Sequence, residues 1–487
     1  MLNLETAESP HKLRRVAIEP VSRVEGHGKV TILLDEENRV HQVRLHIVEF
    51  RGFEVFIEGR PYWEVPVTVQ RLCGICPVSH HLAAAKAMDL IAGYETLTPT
   101  AEKLRRLLHY GQMIQSHALH FFHLASPDLL LGFDSEVGKR NIVGVAEQFP
   151  ELAKQGVMTR KFGQEIIRSI IGKRIHGTGC IPGGMNKPLA LADRDTLRSA
   201  IDGIVDWSRQ AVGLVRKLHE TDPAFYGSFG ESRANMMGLV DSRGGLDLYH
   251  GTLRAKSADG ETIFDQVDYA SYRELLREEI KPWSYMKFPH IRSLGPDEGW
   301  YRVGPLARVQ VADRLPSQQA EQERQGFLAV GAGKPIHGAL FFHWARMIEM
   351  LHCAELARDL LDDPGILGTD LMADKGAPRE EAVGVIEAPR GTLFHHYKVG
   401  ANDLITYCNL IVSTTNNNQA MNEAVRAVAD QFFDGREITE GLLNHIEVAI
   451  RAYDPCLSCA THALGQMPLE VELRSASGEL LSKRRRG

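Results

Sequence analysis

Asp454-Pro455-Cys456-Leu457-Ser458-Cys459-Ala460-Thr461-His462, near the end of a chain of 487 residues, decides how the rest is read. Its two thiols stand three residues apart, so one turn can aim both at a single metal ion. A second pair with the same spacing lies near the other end, in Arg71-Leu72-Cys73-Gly74-Ile75-Cys76. Positions 77 to 455, 379 residues, separate the two pairs. A zinc ribbon places its second pair roughly 15–20 residues after the first, because there the metal folds the module. Here the fold has to bring the pairs together, as in the buried site of a large enzyme. Alone, each Cys-x-x-Cys also suits a redox dithiol, half a zinc site or two small buried residues.

Composition sets the background. At 44% hydrophobic and 24% charged residues, the chain has the make-up of a globular protein with a large core. Its length suggests about three domains on a prior of roughly 150 residues each. A net charge of −6 gives no reason to expect nucleic acid or an anionic membrane as partner. No run of about 18 apolar residues exists, so no membrane-spanning helix is expected. Residues 1–15 lack the apolar core of a secretory signal, which points to the cytoplasm, although export on a partner's signal would leave no trace here. Seven cysteines without such a signal argue against a disulfide framework. Cys180, Cys353 and Cys408 are widely spaced and read as small buried residues. The chain then has no iron–sulfur cluster of its own, and as a redox enzyme it would pass electrons to another chain.

Taken in order, residues 16–60 read as a β region. Val16-Ala17-Ile18, Val30-Thr31-Ile32-Leu33-Leu34 and Val43-Arg44-Leu45-His46-Ile47-Val48 are strands, with a turn at Asp35-Glu36-Glu37-Asn38. A helix is expected to start at Pro77. A long one runs from a Thr98 cap and Pro99 through Leu124, inside a helical region spanning 98–220. His120 and His123 on it lack a companion Glu-x-x-His and read as core or interface residues. Residues 158–171 form an amphipathic helix stopped by Gly172. Residues 240–340 read as a covering α+β segment, and His343 to Leu361 as a strong helix. The glycine-rich loop His176-Gly177-Thr178-Gly179-Cys180-Ile181-Pro182-Gly183-Gly184 lacks a Gly-Lys-Ser/Thr ending. Gly331-Ala332-Gly333-Lys334-Pro335 fails as a P-loop at Leu328 and Pro335. The chain is therefore expected to be α+β and predominantly α-helical, with no nucleotide site.

With their neighbours, the cysteine pairs become specific. Arg71-Leu72-Cys73-Gly74-Ile75-Cys76, running on to His80, and Asp454-Pro455-Cys456 through His462 match the two signatures of nickel–iron hydrogenase large subunits. The chain resembles that family from Arg23 to His462, and within it most resembles the cytoplasmic, bidirectional NAD-linked members. The resemblance implies the large-subunit fold, with residues 343–462 supplying the C-terminal part of the site and residues 1–462 forming one catalytic domain. Cys73 and Cys456 would be terminal on nickel, and Cys76 and Cys459 would bridge to an iron carrying carbonyl and cyanide ligands. His80 would hydrogen-bond a metal-bound thiolate. Arg390 and Asp454 would line the pocket above the metals, Pro389 belongs to the segment that carries Arg390 over them, and Ser413 to the segment that hydrogen-bonds the iron's cyanides. Val412 stands where many relatives have proline, and Ser116 where many have aspartate.

In Ser22-Arg23-Val24-Glu25-Gly26-His27-Gly28, Glu25 is a loop carboxylate on local grounds and the family's proton acceptor by resemblance. A carboxylate set in an apolar wall can shuttle a proton near neutral pH. Phe50-Arg51-Gly52-Phe53-Glu54 places Glu54 where the family holds magnesium beside the buried C-terminal histidine, here His462; the bland reading is a surface salt bridge. Dihydrogen would be split heterolytically, its proton passing to the Cys456 thiolate and then to Glu25. Electrons would leave through a small iron–sulfur subunit to a diaphorase pair holding FMN and NAD. Residues 463–487 resemble the extension that a maturation endopeptidase cuts between His462 and Ala463 after chaperones insert nickel. Other readings stay open: a cytoplasmic subgroup reducing deazaflavin or sulfur, the quinone-site subunit of respiratory complex I, which has lost the four cysteines, and a zinc-bound scaffold.

Overall fold

Residues 13–49, 51–433, 437–462, 469–474 and 480–486 are described by a computed structural model. Long helices carry the bulk of the core. Thr98 caps the Pro99–Leu119 helix by accepting the Ala101 N–H at 3.2 Å. The helix does not run straight on to Leu124. His120–Ala125 is π-helical, and an α-helix resumes at Ser126–Leu131. The Ser126 hydroxyl donates to the Phe122 carbonyl at 2.7 Å, and Pro127 has no N–H to give, so the regular ladder is interrupted there.

The helix expected at 158–171 starts earlier and spans Pro150–Ile171. Pro150 sits in its first turn, where no amide partner is needed, and Gly172 ends it at φ +84°. Leu191–Thr221 buries Leu197, Ile201, Ile204, Val205, Ser208, Ala211, Val212 and Val215, steps of three and four residues that make one apolar face. Each aliphatic side chain so buried contributes about 1.5–3 kcal/mol. Phe341–Asp362 packs against both Leu191–Thr221 and Pro99–Leu119. It is buried on nearly every side, with Arg346, Glu349 and His352 inside the protein.

Three antiparallel strands, Arg14–Ile18, Gly28–Leu34 and Val40–Ile47, form the N-terminal β region. The turn after Leu34 is closed by the Asp35 carboxylate, which accepts the amides of Glu37 and Arg39 at 3.0 and 2.8 Å. The 240–340 segment does combine strands and helices. Asn235–Val240, Thr252–Lys256 and Thr262–Val267 form a sheet with Tyr301–Arg302; the helix Pro305–Val311 packs on it, and Gln318–Val330 packs on Phe341–Asp362. A further meander joins Glu381–Ala388, Gly391–Val399 and Ile405–Ile411. Its first turn is Pro389-Arg390, and the Pro77–Ala92 helix packs across its strands. That packing sets a helix start, a hairpin turn and the C-terminal motif side by side.

One apolar cluster runs from Val21 to Ala460 and includes all four paired cysteines. Cys180, Cys353 and Cys408 are buried and free, as expected. Among the described residues, no helix is long and apolar enough to cross a membrane. The expected exposed tail contains an antiparallel hairpin, Leu469–Arg474 with Leu480–Arg486. Ala463 and the rest of 463–468, residues 475–479, and Phe50 lie outside the described residues.

Candidate metal centre

The fold closes the gap of 379 residues between the pairs. The sulfurs of Cys73, Cys76, Cys456 and Cys459 all lie within 4.8 Å of one another. Cys73–Cys456 is 3.4 Å, Cys76–Cys459 3.7 Å, Cys76–Cys456 3.9 Å and Cys456–Cys459 2.8 Å. An ion about 2.3 Å from each of four tetrahedral sulfurs needs them about 3.8 Å apart, so the pocket is already near that size. Among the described residues, no other group of three or more His, Cys, Asp or Glu side chains converges in this way.

Local chain geometry aims the thiols. Cys73 leaves a 3-10 turn in an extended conformation, and its sulfur accepts the amides of Ile75 and Cys76 at 3.2 and 3.4 Å. Cys76 is the N-cap of the Pro77–Ala92 helix, and Cys456 that of the short Leu457–Ala460 helix. Thr414 Oγ1 accepts the Cys456 amide at 2.9 Å, and the Glu25 carbonyl accepts the Leu457 amide at 3.0 Å. Asp454 adopts φ +54°, strained for a residue with a side chain. Gly26 permits the close crossing: a Cβ there would sit 2.6 Å from the Ser458 nitrogen, at a backbone φ of +82°.

Electrostatics shows what the four sulfurs lack. Hydrogen bonds from the Cys456, Cys459 and Cys73 thiols, and from His80, hold Cys76 well below its ordinary pKa. Burial pushes Cys456 and Cys459 well above theirs. The pocket thus favours one thiolate and resists the next until a cation shares the charge. Burial opposes the Arg390 charge, but Asp454 and the thiols outweigh it and hold the guanidinium well above its usual value. Burial pushes Asp454 up to about 6 against the pull of Arg390 and Arg346.

Arg390 Nε donates to the Asp454 carbonyl at 2.5 Å and Nη2 to Asp454 Oδ1 at 3.0 Å. Its Nη1, and Oδ2 of Asp454, are buried with no protein partner. Beside four converging thiols, this unpaired donor and acceptor leave room for a polar ligand. A small cavity lies here, lined among others by Cys76, His80, Pro389, Arg390, Ser413 and Cys456. Soft thiolates suit nickel and iron, and the unpaired donor of Arg390 suits a polar ligand on them. The donor set therefore fits a thiolate-held metal.

Glu25 Oε2 lies 3.0 Å from Cys456 Sγ and accepts the Ser458 amide at 3.1 Å. It is half-buried rather than sealed in an apolar wall, since the loop carrying it stays near the surface. His462 Nδ1 is 2.7 Å from Glu54 Oε1, its Nε2 is 3.2 Å from Thr415 Oγ1, and its amide donates to the Tyr285 carbonyl at 2.9 Å. Burial would raise the Glu54 pKa, but His462 and Lys287 outweigh it and hold the carboxyl below its usual range. The surface-salt-bridge reading of Glu54 gives way to a pairing with buried His462. Two side chains are a thin set for magnesium, which keeps several waters when so few carboxylates reach it. The Ser413 hydroxyl donates to the Gly391 carbonyl at 2.6 Å, and Ser413, the first residue of Ser413–Asn416, lines the cavity. His81 binds the Pro66 carbonyl, and His120 the Arg451 carbonyl, so both are structural.

Sequence reasoning missed a buried scaffold around the pocket. Arg308 bonds both oxygens of Glu349, Oε2 of Glu387 and the carbonyls of Ala388 and Pro389. It thereby fixes the turn that presents Arg390. His395 and Tyr397 back His80, and His176 reaches the Cys73 carbonyl at 2.9 Å. The signal that could have found them was a set of charged residues inside apolar runs, such as Arg308 in Leu306-Ala307-Arg308-Val309.

Residues 51–131 and 247–462 match the model of the nickel-dependent hydrogenase family, and residues 15–50 match one described as HoxL-like. The chain is 46% identical to the NAD-reducing hydrogenase HoxS subunit beta of Cupriavidus necator, over 97% of this chain and 100% of that protein. It is 41% identical to a chain of the F420-non-reducing hydrogenase vhc of Methanococcus voltae, over 97% and 100%. A crystal structure of an NAD+-reducing NiFe-hydrogenase in the H2-reduced state aligns with TM-score 0.91 and 58% identity, over 92% of this chain and 99% of that one. A family model spanning more than half of the residues, and relatives this similar along their whole length, make the chain the large subunit of a nickel-dependent hydrogenase, an oxidoreductase.

Proposed function

We propose that this large subunit splits and forms dihydrogen reversibly, as the catalytic part of an enzyme whose electron acceptor is NAD+. The observation that carries it is the convergence of four buried thiols beneath an arginine and an aspartate that each keep one polar atom unpaired. Cys73, Cys76, Cys456 and Cys459 would hold nickel and iron. When bound, that metal pair supplies the Lewis acidity that polarises dihydrogen and the redox capacity that takes its electrons.

The protein residues then manage the proton and the pocket. The Cys456 sulfur receives the proton, and Glu25 Oε2, 3.0 Å away, takes it onward. The Ser458 amide holds that oxygen in place. Arg390, fixed by two bonds to Asp454, keeps its free N–H aimed into the pocket and supplies positive charge. The Ser413 amide and the Pro389 turn offer donors and wall to cyanide groups on iron, whose nitrogens need partners when buried. Glu54 and His462 close the far side, where a largely hydrated magnesium would sit.

The likeness to an NAD-reducing hydrogenase subunit supports NAD+ as acceptor, and the reading extends to partners and compartment. A flavin-containing diaphorase, fed by a small iron–sulfur subunit, would carry electrons to NAD+ in the cytoplasm. Residues 463–487 would be removed after His462 by an endopeptidase once nickel is inserted by its chaperones. Relatives named as F420-non-reducing share the family, so the acceptor is the part to test. Purified complex should reduce NAD+ under dihydrogen. Reduction of a viologen dye without reduction of NAD+ would replace the acceptor and keep the metal chemistry.

A further inference from the structure

A buried hydrogen-bonded chain runs from the cavity wall beside Cys76 to the Gly391–Val399 strand and carries information about where protons sit. Tyr397 and His395 are two residues apart on the Gly391–Val399 strand and so share a face. The Tyr397 hydroxyl lies 2.7 Å from His395 Nδ1, and His395 Nε2 lies 3.1 Å from His80 Nδ1. His80, near the start of the Pro77–Ala92 helix, lines the same small cavity as Cys76 and is among the groups that lower that thiol's pKa. His80, His395 and Tyr397 are 1%, 0% and 0% exposed, so they are shielded from bulk water.

A neutral imidazole has one donor and one acceptor nitrogen, so fixing one bond in such a chain fixes them all. Among the described residues, the Tyr397 hydroxyl has one hydrogen-bond partner, His395. Were it to accept from His395, its own proton would be buried without an acceptor, which native structures avoid. Tyr397 therefore donates. His395 Nδ1 accepts, so its proton sits on Nε2 and is donated to His80 Nδ1. His80 is left with its proton on Nε2, the nitrogen that remains to face the Cys76 sulfur. Burial, with His80 nearby, holds the His395 imidazole well below its ordinary pKa, in keeping with a neutral ring.

We propose that Tyr397 and His395 are positioning residues that lock His80 in its Nε2–H tautomer and so aim one N–H at the Cys76 sulfur. The consequence builds on the reading of Cys76 as a ligand shared by nickel and iron. An N–H directed at a thiolate withdraws charge from it, and a ligand sulfur without that bond makes its metal more electron-rich. A two-residue relay from a strand would thus tune the metal pair without touching it.

Neutron diffraction from crystals of the perdeuterated holoenzyme reads the tautomers directly. Deuterons on His80 Nε2 and His395 Nε2, with the Tyr397 O–D pointing at His395 Nδ1, are expected. A deuteron on Nδ1 of either histidine overturns the proposal. This result does not depend on which metals are present, so it separates from any failure of the hydrogenase reading. Infrared spectra of two variants test the consequence. His395→Leu removes the donor to His80 and should move the iron carbonyl band to lower wavenumber. His395→Gln keeps an amide N–H there and should return the band towards the native position. A His395→Leu band coincident with that of the native protein also overturns the proposal, and the neutron map stands even if this variant does not fold.

Discussion

Two buried arginines serve the same hairpin turn and end up with opposite accounts. Arg308 has all five donors engaged, by Glu349, Glu387 and the carbonyls of Ala388 and Pro389. Arg390, on that turn, has two bonds to Asp454 and one nitrogen with no partner, while Asp454 keeps one oxygen unpaired. Both arginines are buried. A buried polar network that closes on itself is a frame, because nothing outside it is needed. One that stays open beside four thiols without a cation is a site. The difference separates the groups that hold the pocket from those that act in it, and mutations should divide accordingly.

The largest effect is expected at the sulfurs. Cys76→Ser should abolish nickel and iron retention and hydrogen activity while the protein still folds, as metal analysis and circular dichroism would report. Retained nickel with full activity would remove Cys76 from the site. Arg390→Lys keeps the charge but loses the planar fork. Activity should fall on the order of 10²–10³-fold, as for a lost preorganised donor, with the melting temperature nearly unchanged. Glu25→Gln should retain the metals and lower turnover by about 10²–10⁴-fold, the range for a proton-transfer group. A hydrogen–deuterium exchange assay under dihydrogen reads that step.

Arg308→Met should behave in the reverse sense. It strands two buried carboxylates and should lower stability by about 3–5 kcal/mol, measured by denaturant unfolding of the metal-free chain. A variant as stable as the native chain would show that the closed network frames nothing.

The smallest effect is a pH dependence at Asp454. Its folded pKa of about 6 lies above the ordinary 3.8, so the folded chain binds this proton more tightly than the unfolded chain. Its contribution is full below about pH 3.8 and is lost as pH rises through about 6, a difference of about 3 kcal/mol. In the metal-free protein, the stability difference between native and Asp454→Asn should change across that window and be flat above it. No change across it would mean that Asp454 is charged throughout.

The ends of the site were legible in the sequence because thiols, prolines and a histidine at fixed spacing constrain few alternatives. The caps behaved likewise: Thr98 and Gly172 mark helix ends through local chemistry. The start of Pro150–Ile171 was missed because its first turn carries no apolar periodicity, only a proline. The π-helical His120–Ala125 depends on Ser126 and Pro127 acting together, which a period of 3.6 does not register. Arg308, His395 and Tyr397 were invisible for a different reason. Their meaning lies in partners on distant segments, Glu349, His80 and Cys76, and a strand or helix pattern says only that they face inward. The pairing of Glu54 with His462 came from family resemblance, since the two stand 408 positions apart in sequence.

The central claim is that the four thiols hold a nickel–iron pair with diatomic ligands beneath Arg390. Infrared spectroscopy of the purified complex, with nickel and iron content measured on the same sample, tests it most directly. Both metals, together with carbonyl and cyanide stretching bands, are the predicted result for protein ending at His462. Zinc in their place, or both bands absent from protein that ends there, would contradict it.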